Sequence, residues 1–118
     1  MGSARQTGNA SLHGIASNYV QSCFAAESPP RVKELAEVLG TTVPRLSRAF
    51  GAETGVSLSV FLRQAQIRRA QLLLARTGFS MNQVAYRAGF GTRMTFFRAF
   101  KMHVGITPAT YRRIAISR

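Results

Sequence analysis

The chain has 118 residues, enough for one domain or for two very small ones that share a connecting element. Its 16 Lys and Arg residues outnumber 4 acidic residues and give a formal net charge of +12, which favours a polyanionic partner such as nucleic acid. Cys23 is the only cysteine, which excludes a disulfide framework, and with only two histidines no metal site is expected.

Composition also argues against several other classes of protein. No apolar run reaches the roughly 18–20 residues that a membrane span needs, so no membrane contact is expected. Residues 1–9 are polar, unlike a signal peptide, and we interpret them as a disordered segment or a remnant of an expression vector. No nucleophile–base pair or phosphate-binding glycine loop is recognisable, so we expect neither an enzyme nor a cofactor. A reduced, cytoplasmic setting fits these features.

Apolar residues at helical spacing predict seven helices, and no segment shows the period-two alternation of a strand. The predicted helices span residues 10–26, 31–39, 43–53, 57–76, 80–88, 92–103 and 107–116. Cys23 lies on the apolar stripe of the first helix, which predicts a place in the core. Pro29 and Pro30 break the chain after this helix. The sequence therefore predicts an all-α fold.

Glycines and hydroxyl residues mark the predicted helix ends. Five glycines follow helices and are expected as left-handed C-terminal caps: Gly40, Gly55, Gly78, Gly89 and Gly105. Five hydroxyl residues come soon afterwards and are expected to cap the next helix: Thr42, Ser57, Ser80, Thr92 and Thr107. Pro108, directly after Thr107, stands at the favoured first helical position.

An internal repeat divides the chain into two similar units. Leu35-Ala36 and Gly40 recur as Val84-Ala85 and Gly89, shifted by 49 residues. Arg48-Ala49-Phe50 and Gly55-Val56-Ser57 recur as Arg98-Ala99-Phe100 and Gly105-Ile106-Thr107, shifted by 50. One residue is therefore inserted in the second turn. Each unit reads as a short helix with a small buried Ala, a glycine turn and a second helix, the pattern of a helix-turn-helix.

The second helix of such a unit buries one face and presents the other to the major groove of DNA. Leu46 and Phe50 are predicted to face inward in the first unit, and Phe96 and Phe100 in the second. The outer faces supply the candidate DNA-binding residues: Pro44, Arg45, Ser47, Arg48, Arg93, Met94, Thr95, Phe97, Arg98 and Lys101. The alternative is a generic helical repeat with solvated arginines. Against it, residues 57–118 contain eleven Lys and Arg and no acid, whereas ordinary surfaces mix both signs.

The same residues resemble the AraC/XylS family of bacterial transcription regulators. The first unit resembles the family's first helix-turn-helix through Leu35 to Gly40, Leu46 to Phe50 and Glu53 to Gly55. The second unit resembles the family signature more closely, in order and spacing, through Val84-Ala85, Ala88-Gly89-Phe90, Phe96, Arg98 to Lys101, Gly105 to Pro108 and Tyr111-Arg112. The resemblance covers about residues 32–113.

This resemblance implies seven helices in two helix-turn-helix subdomains, at residues 10–55 and 78–118, joined by a long linker helix within residues 56–77. The second helix of each unit would enter a major groove, and the two grooves would be successive ones, roughly 34–36 Å apart. Carried over by position, the base-reading candidates are the outward residues given above, except Lys101. The implied protein is a regulator of the cytoplasm and nucleoid that binds double-stranded promoter or operator DNA, with RNA polymerase as a further partner.

Four positions depart from the family pattern. Phe97 stands where a small or polar residue is usual, which favours contact with a thymine methyl group or packing. Pro44 can offer a base only apolar contact. Leu58 replaces the usual proline. Gln66 stands where an arginine is common in the linker helix, so the polar contact expected there is not carried over.

An alternative function is a helical interaction module that uses the same scaffold for protein or non-specific polyanion binding. No small molecule is expected to bind this segment, because it is too short to carry the separate sensing domain of many family members. The chain is interpreted as a stand-alone regulator or as the C-terminal part of a longer one, without its effector and dimerisation domain. Its polar start favours the second interpretation.

Overall fold

The computed structural model describes residues 11–117, which form seven α-helices and no β-strand. The helices are α1 (Leu12–Ala26), α2 (Val32–Val38), α3 (Val43–Thr54), α4 (Leu58–Arg76), α5 (Met81–Arg87), α6 (Arg93–Val104) and α7 (Pro108–Ile116). The predicted all-α class is confirmed, whereas the N-terminal segment interpreted above, residues 1–9, lies outside the described residues. None of these seven helices is both long and apolar enough to cross a membrane.

Hydroxyl side chains begin six of the seven helices. Each accepts a hydrogen bond from the backbone N–H three residues further on: Ser11, Thr42, Ser57, Ser80, Thr92 and Thr107. The five predicted caps are confirmed, and Ser11 adds a sixth. At Ser80 the bond is reciprocal, because the Gln83 side chain accepts from the backbone N–H of Ser80 at 2.8 Å. No acidic residue lies in the first turn of any of these six helices.

The expectation of left-handed glycines is right at four positions and wrong at Gly78. Four of the glycines have φ between 68° and 93°: Gly40, Gly55, Gly89 and Gly105. Gly78 has no positive φ, because α4 ends at Arg76 and Thr77 follows it in an extended conformation with φ −133°. The Thr77 hydroxyl donates to the carbonyl of Leu73 at 2.6 Å. The Thr77 backbone N–H donates to the same carbonyl at 3.0 Å, and Nε of Arg112 donates to the next one, that of Leu74, so α4 ends without a left-handed residue.

Two apolar cores share the linker helix α4. The first unit buries Ala16, Val20, Phe24, Leu35, Ala36, Leu46 and Phe50. The second unit buries Val84, Ala85, Ala88, Phe90, Phe96 and Phe100. The linker helix adds Leu58 and Leu62 to the first core, and Ile67, Ala70, Leu73 and Leu74 to the second. Since α4 is part of both cores, neither unit can shift along it without exposing apolar surface.

Small residues lie where the paired short helices meet. Ala36 of α2 and Ala85 of α5 are both buried, in agreement with the prediction. A larger side chain at either position would overpack the contact and push the helices of that unit apart. Cys23 is buried as well, which confirms its predicted place in the core.

Two side chains attach α1 to the rest of the first unit. Glu53, near the end of α3, accepts hydrogen bonds from the backbone N–H groups of Leu12 at 2.9 Å and His13 at 3.1 Å. These bonds favour the ionised carboxylate and lower the pKa of Glu53. The Tyr19 hydroxyl of α1 donates a hydrogen bond to Oε1 of Glu34 in α2. Burial, reinforced by this bond, raises the pKa of Tyr19, so the phenol keeps its proton.

The C-terminal helix α7 closes the second unit against the end of α4. Arg112 donates from Nε to the carbonyl of Leu74 at 3.0 Å and from Nη2 to the carbonyl of Thr77 at 3.2 Å. Carbonyls at the end of a helix have no intrahelical donor, so these bonds satisfy groups that would otherwise depend on water. Tyr111 packs edge-on against the ring of Phe100, with centroids 5.5 Å apart.

Replacing Phe100 with alanine should lower the free energy of unfolding by about 3–5 kcal/mol, because this ring is fully buried and leaves a cavity. Met102→Ala, on the same helix but 81% exposed, is the matched control and should change stability by less than about 0.5 kcal/mol. Urea denaturation of the three proteins measures both effects. Equal losses in the two variants would contradict the assignment of the inner face of α6.

Candidate nucleic-acid interface

The second helix of the first unit, α3, has one buried side and one exposed side. Leu46 and Phe50 are buried, as predicted, and they fix the rotation of the helix about its axis. Thr42 fixes its start, because its hydroxyl accepts from the backbone N–H of Arg45 at 3.3 Å. The predicted contact residues divide by exposure: Pro44, Arg45 and Arg48 are exposed, and Ser47 is half-buried. They form one continuous outward surface from the first turn onward.

The second helix of the second unit, α6, repeats this arrangement. Phe96 and Phe100 are fully buried and face the core, as predicted. Of the predicted contact residues, five are exposed: Arg93, Met94, Thr95, Arg98 and Lys101. Thr95 is held at the start of the helix, because its hydroxyl accepts from the Thr92 hydroxyl at 2.9 Å and its backbone N–H donates to the same oxygen at 3.1 Å. The outward face of α6 therefore carries three cations and no anion.

Phe97 is half-buried, as Ser47 is, but unlike the other predicted contact residues it packs against the second core. Its ring meets that of Phe96 edge-on, with centroids 5.7 Å apart. The guanidinium carbon of Arg93 lies 5.1 Å from the centroid of the Phe97 ring, within cation–π range. Of the two roles left open by the sequence, packing is visible in the structure. The Phe97 ring also contacts the guanidinium group of Arg93.

Arginines of these faces have no acidic partner. Within residues 11–117 the one ion pair joins Arg87 and Glu27, at 3.7 Å and away from both outward faces. Arg63 of α4 is a residue that the sequence did not single out. It is half-buried over the ring of Phe90, 5.2 Å from the centroid, and burial lowers its pKa. It also lines a cavity with Thr95 and Arg98 of α6.

Arg63 could not be found by sequence reasoning, since its position beside α6 depends on how α4 packs against the second unit. The one available signal was the absence of acids from residues 57–118, which leaves the cations of that half without a counter-charge from the same half. An anion bound between the units would offset the cost of burying this guanidinium.

The polar contact that the family implies at position 66 was not carried over to Gln66 from the sequence, and the structure shows that this residue makes one. Gln66 is 4% exposed, and its Nε2 donates to the carbonyls of Gly89 at 2.9 Å and Ala88 at 3.2 Å. A neutral amide thus makes a buried polar contact where an arginine is common. The contact lies between the linker helix and the turn of the second unit, 22 and 23 residues away in sequence.

The two glycine turns differ in their surroundings. At Gly40, in the first unit, a Cβ would meet nothing within 4 Å. At Gly89, in the second unit, a Cβ would lie 3.0 Å from the Ser28 carbonyl oxygen and 3.1 Å from Cδ of Pro30. Gly91, two residues later, also has positive φ, and a Cβ there would lie 3.5 Å from Cγ of Pro29. Both glycines of the second turn therefore face the segment that precedes α2, and only at Gly89 would a side chain be too close to it.

Comparison with known proteins places most of this fold in one family. Residues 35–114 match a protein-family model described as a helix-turn-helix domain. The chain is 36% identical over 80 residues to the HTH-type transcriptional regulator RipA of Corynebacterium glutamicum, a match covering 68% of this chain and 24% of that protein. It is 28% identical over 83 residues to the Msm operon regulatory protein of Streptococcus mutans, covering 70% and 30% respectively. The chain spans less than a third of the length of these curated relatives.

Solved structures of the same kind superpose well on this chain. The C-terminal domain of AraT, a response regulator from Geobacillus stearothermophilus, matches with a TM-score of 0.79 and 30% identity, over 87% of this chain and 84% of that one. The DNA-binding domain of AdpA, a global transcriptional factor solved in complex with a target DNA, matches with a TM-score of 0.76 and 25% identity. That match covers 87% of this chain and 94% of the AdpA domain.

Phe97→Ala should lower the free energy of unfolding by about 1–2 kcal/mol, because most of the ring is removed from water. The matched control is Met94→Ala on the same helix, which is 64% exposed and should change stability by less than about 0.5 kcal/mol. Denaturant titration followed by circular dichroism measures both values. A neutral Phe97→Ala would show that the ring does not contribute to packing.

Proposed function

This chain belongs to the AraC-type helix-turn-helix family, and on that premise we propose that it binds double-stranded DNA sequence-specifically, as the DNA-binding part of a transcription regulator. In the proposal α3 and α6 enter successive major grooves on one side of the duplex. Binding involves no covalent chemistry. The AdpA domain, solved with its target DNA, supports this use of the fold.

The observation that carries the proposal is the pairing of two second helices, each with a buried aromatic side and a cationic outer side. Phe50 and Phe100 occupy equivalent buried positions in the two repeats. Arg48 and Arg98, two residues earlier in each helix, are exposed and have no acidic partner. A duplex offers the anionic surface that such faces lack, and its major groove admits a helix of this diameter.

Different outward residues suit different parts of the duplex. Arg48, Arg93 and Arg98 can each donate two hydrogen bonds to the O6 and N7 atoms of guanine. Pro44 and Met94 suit apolar contact with thymine methyl groups. Arg63 and Lys101 suit phosphate oxygens, as do the backbone N–H groups at the helix starts. In this arrangement the second unit supplies more of the polar base contacts, and the first relies on Arg45 and Arg48.

We extend the proposal to the whole protein of which this domain is a part. Its relatives are more than three times as long as their matched regions, so a separate effector or dimerisation domain fits the same plan. RNA polymerase bound at the promoter is the proposed protein partner, and the nucleoid in the cytoplasm is the proposed location. Competition between a selected site and random DNA separates this function from a general polyanion-binding module, for which both DNAs would compete equally.

If about 6–8 phosphates are neutralised, the logarithm of the binding constant should fall against the logarithm of salt concentration with a slope of roughly −5 to −7. The slope is measured by fluorescence anisotropy with a labelled duplex between low and moderate salt. The physical reason is release of condensed counterions by the cationic faces. A slope near zero would rule out phosphate neutralisation as the source of affinity.

Arg98→Ala should relax sequence preference in one half of the binding site, and Arg48→Ala in the other, each by about 1–3 kcal/mol of discrimination. Arg113→Ala, an exposed position outside both second helices, removes the same charge and is the matched control. Footprinting and selection from random duplexes locate the affected half. Loss in the same half for both variants would be incompatible with two grooves read by two helices.

A further inference from the structure

We infer that one contact between the two units sets the distance and angle between α3 and α6, and so makes the protein selective for the spacing of two DNA half-sites. This contact, here called the joint, consists of Ser28, Pro29, Pro30, Gln66, Gly89 and Gly91. The inference rests on the proposed function. It deepens that function by naming residues that determine specificity without touching DNA.

The joint lies directly before two helices that matter for DNA binding. Pro30 precedes Arg31, the N-cap of α2, and α2 packs on α3 within the first core. Gly91 precedes Thr92, the N-cap of α6. The segment before α2, where the first helix-turn-helix begins, thus touches the turn before α6, the second helix of the second unit. A displacement at this contact would pass to the start of α6 through a single intervening residue.

At Gly89 the second turn approaches the segment before α2 closely. Gly89 has φ 77°, and a Cβ at this position would lie 3.0 Å from a backbone oxygen, that of Ser28. Backbone atoms cannot move aside as a flexible side chain can. At Gly91 a Cβ would lie at ordinary van der Waals distance from Pro29, so the tight approach is confined to Gly89. A proline ring on the opposite side is rigid, which makes the contact stiff.

Gln66 connects the linker helix to the turn of the second unit through two hydrogen bonds. Its amide donates to two successive carbonyls of the turn, those of Ala88 and Gly89, and the side chain is buried. A buried carbonyl that loses its donor is costly, so this pair of bonds resists rotation of the turn about α4. The three parts of the joint come from the first unit, the linker helix and the second unit.

The joint also accounts for the residue inserted in the second turn. In the first unit, Gly40 is followed by two residues before α3, and its surroundings are open. In the second unit, three residues separate Gly89 from α6. The longer turn places Phe90 in the core and Gly91 against Pro29. The insertion therefore builds a contact between units and leaves the outward face of α6 unchanged.

A rigid connection has a measurable consequence on DNA. Each inserted base pair moves one half-site by about 3.4 Å along the axis and by about 35° around it. A protein in which α3 and α6 are fixed relative to each other cannot follow both the translation and the rotation. It therefore loses base contacts in one half-site. Loss of one bidentate base contact corresponds to about a 5- to 150-fold fall in affinity.

The test begins with a site selected by the wild-type protein from random duplexes, and with versions of that site lengthened by one or two base pairs between its halves. Affinities are measured for the wild-type protein and for two joint variants, Gln66→Leu and Gly89→Ala. Gln64→Leu, exposed on the same helix, and Gly40→Ala, with positive φ but open surroundings, are the matched controls. Circular dichroism establishes that each protein is folded at the temperature used.

The wild-type protein and both controls should lose at least about fivefold in affinity when one base pair is inserted. The joint variants should bind the original site more weakly and lose less than about threefold on insertion. Gln66→Leu keeps the helix and a similar side-chain volume, so it decides the question even where Gly89→Ala fails to fold.

The inference is overturned if folded Gln66→Leu shows the same spacing penalty as the wild-type protein, or if the wild-type protein tolerates the insertion. Either result would leave sequence-specific binding itself intact. Failure of the proposed function looks different, because the wild-type protein would then select no two-part site at all.

Discussion

The structure depends on one helix that both units need for their own cores. The first turns of α4 supply Leu58 and Leu62 to one core, and its later turns supply Leu73 and Leu74 to the other. A connecting segment of this kind is a structural element of each unit, and its burial is lost if either unit separates. Two small helical units, each marginal in the apolar surface it can bury, are thereby stabilised as one body. The placement of both outward faces follows from this shared helix.

Much of the fold could be predicted from the sequence because its signals are local. The helix starts were found from Thr42, Thr92 and similar residues, since an N-cap acts on a backbone group only three residues away. The inner faces of α3 and α6 were found from large apolar residues four positions apart. Gly78 was misjudged because α4 ends at an extended Thr77 and Arg112, from a distant helix, bonds to the Leu74 carbonyl, which a glycine after a helix does not reveal.

The features that escaped sequence reasoning depend on contacts between distant segments. The role of Gln66 requires the turn at Gly89 to come close to α4, and the role of Gly89 requires Ser28, 61 residues earlier, to be adjacent. Arg63 is a candidate DNA contact because it lines a cavity with residues of α6, a position that follows from the packing of α4. Phe97 lies on the outward side of a helical projection, yet neighbouring rings bury most of it. The spacing of apolar residues shows which face of a helix is buried. It does not show which distant residues pack against that helix.

The hydroxyl caps have an electrostatic consequence for both outward faces. Serine and threonine satisfy the first N–H groups of a helix without adding negative charge, whereas aspartate would also neutralise the positive end of the helix dipole, about half an elementary charge. This chain contains no aspartate, and the first turns of α3 and α6 contain no acid. Their backbone therefore adds to the positive potential made by the arginines. That part of the field does not depend on any side chain that titrates or changes rotamer.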